Sequence, residues 1–475
     1  MPPTTRAPAA GTWRRRLALG LEILIVVYAA ALLLFLAGVE DLGFATISRG
    51  EKPLLILLIA IPLRVTLGGS SWLLERGRGM LRDPAALRAA TIDRVPPAVL
   101  DPLFALAVIR VGSIFVGFVA NVVFPPWRLR AIEMPFRQSK FFEIFAAWDS
   151  GWYFDIARRG YYWNADGQSS IAFFPLYPML IRAGAWPFGG SDHALWISAI
   201  SISAIAYFLA LVALHRLTER WSGDREVARR TVLYLSIFPF ALFFTRVYAE
   251  SIFLLTSVMA VSRAWDGRWW RAGAWGALAT LARPNGILIA VPLVLLALRD
   301  RPGVPALARR SVPLALLPAA LGGFCLFAYS LSGDPLAWLH AQSQWGYTLG
   351  HPPWQLLLSL LGRILKHGAY DYFFLSPMAP FRLFHGVAAL LFLALTPAVF
   401  KRLGPAMGAY VLVSLLVPLS GNALEGVGRY AAVLFPVFMM LGGLHSQRLH
   451  EALLIVAALL RSLFVILFVT LRPIY

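Results

Sequence analysis

Apolar residues in this chain come in long runs, separated by short polar stretches. Runs lie near 18–38, 53–73, 102–124, 193–214, 231–245, 250–264, 272–282, 286–298, 311–331, 383–400, 406–420, 429–444 and 451–470. A helix needs roughly 20 predominantly apolar residues to cross a bilayer. The pattern therefore predicts an all-α polytopic membrane protein with about 13 transmembrane helices. Two pairs, 231–245 with 250–264 and 272–282 with 286–298, are too short to be separate full spans and read as tight hairpins or broken helices. Broken backbone at membrane depth is tolerated only where protein or water covers it. Both breaks are thus expected to line a cavity.

Composition agrees: of 475 residues, 59% are hydrophobic and 14% charged, against about 25% charged in an ordinary soluble domain. The formal net charge of +19 would suggest nucleic acid in a soluble protein, but no basic groove module is visible, and no nucleic-acid partner is expected. The arginines lie mostly in alternate short loops, the signature of a cytoplasmic side. Arg76, Arg78, Arg82, Arg88 and Arg94 fall on one side with Arg216, Arg220, Arg225, Arg229, Arg230, Arg263, Arg268, Arg271, Arg299, Arg301, Arg309, Arg310, Lys401 and Arg402. The short opposite loops carry few: Arg49 and Lys52, then Arg246, Arg283 and Arg429. This places the N-terminus in the cytoplasm and two long segments, 125–192 and 332–382, outside. In a bacterium the membrane would be the plasma membrane. Arg14–Arg16 before the first run suggest a signal anchor, that run being too long for a cleaved leader. The chain divides into residues 1–101 (a cytoplasmic tail, two extra spans and a basic connector) and a core at 102–475. Cys325, the single cysteine, sits inside an apolar run and reads as a small helix residue.

Candidate chemistry gathers on the outer side. In Trp148-Asp149-Ser150-Gly151-Trp152-Tyr153, a carboxylate stands among aromatics just beyond a span. On a helix, Asp149 and Tyr153 share a face. Aromatic neighbours such as Trp148, Trp152 and Tyr153 reduce hydration and can hold a carboxylate as a base. Asp155 reads as a partner of Arg158 or Arg159. Arg246, Tyr248 and Glu250 mark the first break; Arg246 and Glu250 are spaced for an i,i+4 pair, and Glu250 serves equally as structural support or as pocket lining. At the second break, Ala282-Arg283-Pro284-Asn285-Gly286, Pro284 stops a helix and Gly286 permits close backbone approach. An unpaired arginine at membrane centre costs on the order of 3 kcal/mol or more, and a guanidinium binds phosphate bidentately. Arg283 is therefore a phosphate-binding candidate, as is Arg429 beside Tyr430. Arg110, within a span, calls for an acid such as Glu133, Asp149 or Glu250. His340, His351, His367 and His385 lack the spacing of a zinc pair and read as polar lining or substrate contacts. There is no Gly-rich phosphate loop, G-x-S-x-G or CxxC, so a nucleotide-using cytoplasmic enzyme is disfavoured. A donor used on the outer side would be lipid-borne.

Several blocks, in order, resemble the GPI mannosyltransferase 2 (PIG-V) family and its bacterial homologues, within the glycosyltransferase-C superfamily. They are Trp148-Asp149 with Tyr153, Ile156, Ala157, Gly160 and Tyr161; Phe173-Phe174-Pro175-Leu176-Tyr177-Pro178; Tyr248-Ala249-Glu250-Ser251-Ile252-Phe253; Arg283-Pro284-Asn285-Gly286; and Arg429-Tyr430 with Phe435-Pro436. Where the eukaryotic motif often has His before Trp-Asp, Ala147 stands here. The resemblance implies an inverting transferase of a sugar, most often mannose, from a polyprenyl-phosphate donor. It makes Asp149 the general base. Arg283 and Arg429 would meet the donor phosphate, and Trp148, Trp152, Tyr153, Tyr248, Glu250, Asn285 and Tyr430 would line the pocket. No cofactor or obligatory metal is expected, and a glycolipid, a glycan or a protein hydroxyl would each serve as acceptor. The rival readings are a lipid or sugar transporter, which should carry its acids mid-span, and a non-catalytic membrane subunit.

Overall fold

The computed structural model describes residues 17–29, 56, 57, 59–61, 64, 96–127, 141–371 and 379–474. The N-terminal tail, most of the run at 53–73, the connector at 75–95 and Glu133 lie outside the described residues. The chain divides into two compact units, Met1–Pro97 with Phe136–Glu143, and Ala98–Pro135 with Ile144–Tyr475. In the first, the short helix Leu17–Ala29 carries Glu22, which accepts a hydrogen bond from Arg64 Nε at 2.7 Å.

The regular secondary structure among the second unit's described residues is all helical, apart from one isolated bridge between Leu349 and Gly421. Among the described residues five helices are long and apolar enough to cross a membrane: Pro97–Val123, Asp192–Ser222, Val304–Ser332, Phe381–Leu403 and Gln447–Val469. A sixth is obtained if Arg225–Ile237 and Pro239–Thr245, bent by 85°, count as one span. The protein is thus a multi-pass membrane protein. Among the described residues, several of the other apolar runs become shorter pieces where proline and polar residues interrupt them. Run 429–444, for instance, breaks into Val427–Ala432 and Phe435–Gly442, with Pro436 in the first turn of the second.

Local signals set the helix ends. Ser191 caps Asp192–Ser222 by accepting from the Ala194 amide, and Gly223 ends it at φ 70°. The helices Glu250–Trp265 and Trp269–Ala282 form an antiparallel hairpin that turns at Gly267, φ 70°. Small residues let its neighbours come close: a Cβ on Gly273 would strike the Pro313 carbonyl, and one on Gly276 the Leu317 side chain. The hairpin's open end carries Glu250 at the start of one helix and Arg283 just past the end of the other, and this end holds the site.

Candidate functional site

Two departures from regular helix build the site. Trp148 adopts φ 55°, an uncommon conformation for a bulky residue, and so swings Asp149 to the start of the helix Ser150–Arg159. The turn is pinned from behind: the Val247 amide donates to Phe145 O at 3.0 Å, and the Tyr248 hydroxyl to Ala147 O at 2.9 Å. At the second break the hairpin ends in extended backbone at Arg283, φ −154° and ψ 155°, followed by the 3-10 turn Pro284–Ile289. Gly286 is required there, since a Cβ would run into the Ala279 carbonyl.

Four charged side chains from these pieces form one chain. Arg429 Nη1 donates to Asp149 Oδ2 at 2.7 Å, while its Nε and Nη2 reach Glu250 Oε1 at 2.8 Å each. Arg283 Nη1 stands 3.3 Å from the same Glu250 oxygen without hydrogen-bond geometry. Two carboxylates balance two guanidinium groups, which makes burial tolerable. Glu250 is only 1% exposed, whereas the Asp149 side chain keeps 25% of its surface open. Aromatic faces hold the cations. Arg429 lies 4.9 Å from the Phe243 ring and 4.7 Å from that of Tyr248, and Arg283 lies 4.8 Å from Tyr430.

The chain borders a cavity of about 960 Å³. Asp149, Tyr153, Arg283, Asn285, Arg429 and Tyr430 are in its wall. Trp148, Trp152, Tyr248 and Glu250 are not in that wall. Trp152 is stacked on Phe173, with ring centroids 5.6 Å apart, and closed off by Trp345. Tyr248 and Glu250 are held behind it by the bonds given above. Arg246 does not pair with Glu250, because Arg429 and Arg283 occupy that carboxylate. Its guanidinium is buried against the Phe145 and Phe468 rings, at 5.6 and 5.4 Å. Arg110 meets neither Asp149 nor Glu250, and lies 5.9 Å from Phe145. Asp155 pairs with Arg159 at 3.3 Å.

The opposite wall comes from the segment after Ser332: Trp338, His340, Gln342, Gln344, Trp345 and Tyr347. Apart from His340, none of these residues stands out individually in the sequence; the signal there is the density of Trp, Tyr and His between 332 and 382. Burial, and next the Asp149 charge, push the Tyr347 phenol well up from its ordinary pKa. Of the four histidines only His340 lines the cavity, anchored to Asp334 at 2.6 Å. His385 is fully buried, and its Nδ1 accepts from the Gly428 amide at 3.0 Å, which fixes the turn carrying Arg429. Among the described residues no three or more His, Cys, Asp or Glu converge as metal ligands.

The arrangement is that of a multi-pass membrane protein with a polar, ion-paired pocket at one end of its helices. Residues 119–299, which include Asp149, Glu250 and Arg283, match the mannosyltransferase (PIG-V) family. The resemblance carried by the sequence motifs therefore holds over this segment. GPI mannosyltransferase 2 of Yarrowia lipolytica is 26% identical over 159 residues, 34% of this chain and 42% of that protein. GPI alpha-1,6-mannosyltransferase 2 of Cricetulus griseus is 29% identical over 147 residues, 30% of this chain and 29% of that protein. The chain thus matches less than half the length of each of these curated relatives. Among solved structures, ArnT from Cupriavidus metallidurans bound to undecaprenyl phosphate is similar at a TM-score of 0.42 and 14% identity, covering 78% of this chain and 76% of that one. The archaeal oligosaccharyltransferase AglB from Archaeoglobus fulgidus, in complex with an inhibitory peptide and a dolichol-phosphate, gives 0.40 at 15% identity, covering 78% and 56%.

Proposed function

We propose that this protein is an integral-membrane mannosyltransferase that moves mannose from a polyprenyl-phosphate donor to an acceptor hydroxyl on the extracytoplasmic side, with inversion. The observation that carries this reading is the ion-paired chain Asp149–Arg429–Glu250–Arg283, which borders the cavity with Glu250 behind its wall; three of its members fall in the family-matched segment. In the proposed step the acceptor oxygen attacks the anomeric carbon as Asp149 takes its proton. The bond from that carbon to the phosphate oxygen breaks, and polyprenyl phosphate leaves. General-base catalysis typically contributes about 10²–10⁴-fold, and cations placed at the departing phosphate stabilise its charge. Arg283 supports the second role directly, since its Nη1 has no hydrogen-bond partner and it lines the cavity. Arg429, already bound to both carboxylates, orients Asp149 and adds positive charge. Glu250 holds the two arginines in register. The catalytic core in this reading is 102–475, with the N-terminus cytoplasmic and, in a bacterium, the plasma membrane as location. The acceptor is a glycolipid, a glycan or a protein hydroxyl.

The test is Asp149→Asn in membranes supplied with polyprenyl-phosphomannose and a crude acceptor pool. Transfer should fall at least a hundredfold. Turnover at the parental rate would remove Asp149 from the mechanism. Parental membranes should keep transferring in excess EDTA, because guanidinium groups rather than a metal neutralise the leaving phosphate in this scheme.

A further inference from the structure

The turn of the hairpin Glu250–Trp265 and Trp269–Ala282 lies at the opposite end from the ion-paired chain. Helices of 16 and 14 residues are about 24 and 21 Å long. The turn is therefore separated from Glu250 and Arg283 by most of a hydrocarbon core, roughly 30 Å. At that end an open groove of about 950 Å³ runs between residues 267–271 and 308–313. Arg268, Arg271 and Arg309 line it, and all three are exposed.

None of these three arginines has a carboxylate partner among the described residues. The acid at the turn, Asp266, is already engaged by Arg220 and Arg263. Arg310, next in sequence, behaves differently: it bonds the carbonyls of Ala297 and Arg299 at 3.1 and 3.0 Å and is spent on structure. Beside the three free cations stand Trp270, 65% exposed, and Val312, 59% exposed. An exposed tryptophan at the end of a membrane-embedded hairpin belongs at headgroup level, and arginines held there face phosphate oxygens.

We propose that this groove binds the headgroup of an anionic phospholipid in the leaflet on its side, with Arg268, Arg271 and Arg309 on the phosphate and Trp270 and Val312 against the upper acyl chain. The proposal rests on the chain spanning a membrane and is independent of the transfer reaction. Because the groove closes the same hairpin whose other end carries Glu250 and Arg283, an occupied groove ties that hairpin to one leaflet.

The experiment titrates the full-length protein, in neutral detergent, with phosphatidylglycerol or with phosphatidylcholine of the same acyl chains. Bound lipid is counted by native mass spectrometry. The expected result is a preference for phosphatidylglycerol of at least tenfold, with each arginine contributing about fivefold. The combined variant Arg268→Gln, Arg271→Gln, Arg309→Gln should bind the two lipids alike. A charge-matched control, Arg182→Gln, Arg363→Gln, Lys366→Gln, should keep the preference. Should the triple variant fail to fold, Arg309→Gln alone should lose about fivefold. No preference in the parent, a preference that survives in the triple variant, or full displacement of the lipid by millimolar inorganic phosphate would each overturn the proposal.

Discussion

Glu250 is the residue on which both halves of the pocket depend. One of its oxygens receives Arg429 twice and stands beside Arg283, while the other oxygen, Oε2, has no hydrogen-bond partner. Glu250→Gln keeps the volume but leaves two buried guanidinium groups facing a single carboxylate, Asp149. Breaking a buried pair in this way costs about 3–5 kcal/mol. Such a loss at the site would lower kcat about a hundredfold or more, and the unfolding temperature in detergent should fall with it. Unchanged kcat at full occupancy would mean that the arginines hold their places without it. Arg283→Lys keeps a charge but loses the planar fork that matches phosphate. It should raise KM for the donor about tenfold while leaving acceptor KM unchanged. An effect on the acceptor side alone would take Arg283 away from the phosphate.

At the scale of elements, two glycines set the wall. A Cβ on Gly286 would meet backbone at Ala279 and Thr280, which cannot yield, so Gly286→Ala should displace Arg283 and Asn285. A Cβ on Gly428 would strike the Phe240 ring and disturb the turn that His385 fixes beneath Arg429. Both alanine variants should reduce transfer at least tenfold, whereas Gly322→Ala, with open space around its Cβ, should be silent in activity and within about 0.5–1 kcal/mol in stability. A transfer assay on the three variants in parallel separates a packing effect at the wall from a general intolerance of alanine. The buried cations Arg246 and Arg461 and the half-buried Arg110 belong to this scale too. Arg461 is satisfied by Ser113 and the Phe238 carbonyl, at 3.1 and 3.2 Å, and the other two lie against aromatic rings. They tie helices together and take no part in the cavity wall.

For the whole molecule, the two ends of the hairpin make opposite demands. In the proposed reaction the pocket opens where a lipid-borne donor is presented, which puts the basic groove at the other face. In a background with Cys325 replaced by serine, a cysteine at Thr348 on the cavity rim should react with a membrane-impermeant maleimide on intact cells. A cysteine at Ala308 on the groove rim should react only after permeabilisation. The reverse pattern would put the pocket in the cytosol and end the proposal of an extracytoplasmic lipid donor.

The long apolar runs and the arginine-rich loops were sufficient by themselves to fix a helical, multi-pass chain, because bilayer length and backbone hydrogen bonding leave few alternatives. The break at Pro284–Gly286 and the acid after Trp148 were equally legible, since proline, glycine and a carboxylate among aromatics each carry a local physical meaning. Pairing was not legible. Sequence spacing reports only contacts within a helix, such as Asp155 with Arg159. The bonds that define the pocket join Asp149 and Glu250 to Arg429 across 280 and 179 positions. Neighbourhood along the chain suggested Arg246 as the partner of Glu250; packing turned Arg246 to the aromatic rings behind and brought two distant arginines to Glu250 instead. Tertiary structure alone decided that Tyr248 and Glu250 stand behind the wall while Tyr347 stands in it, because the direction of a side chain depends on what already fills the space around it.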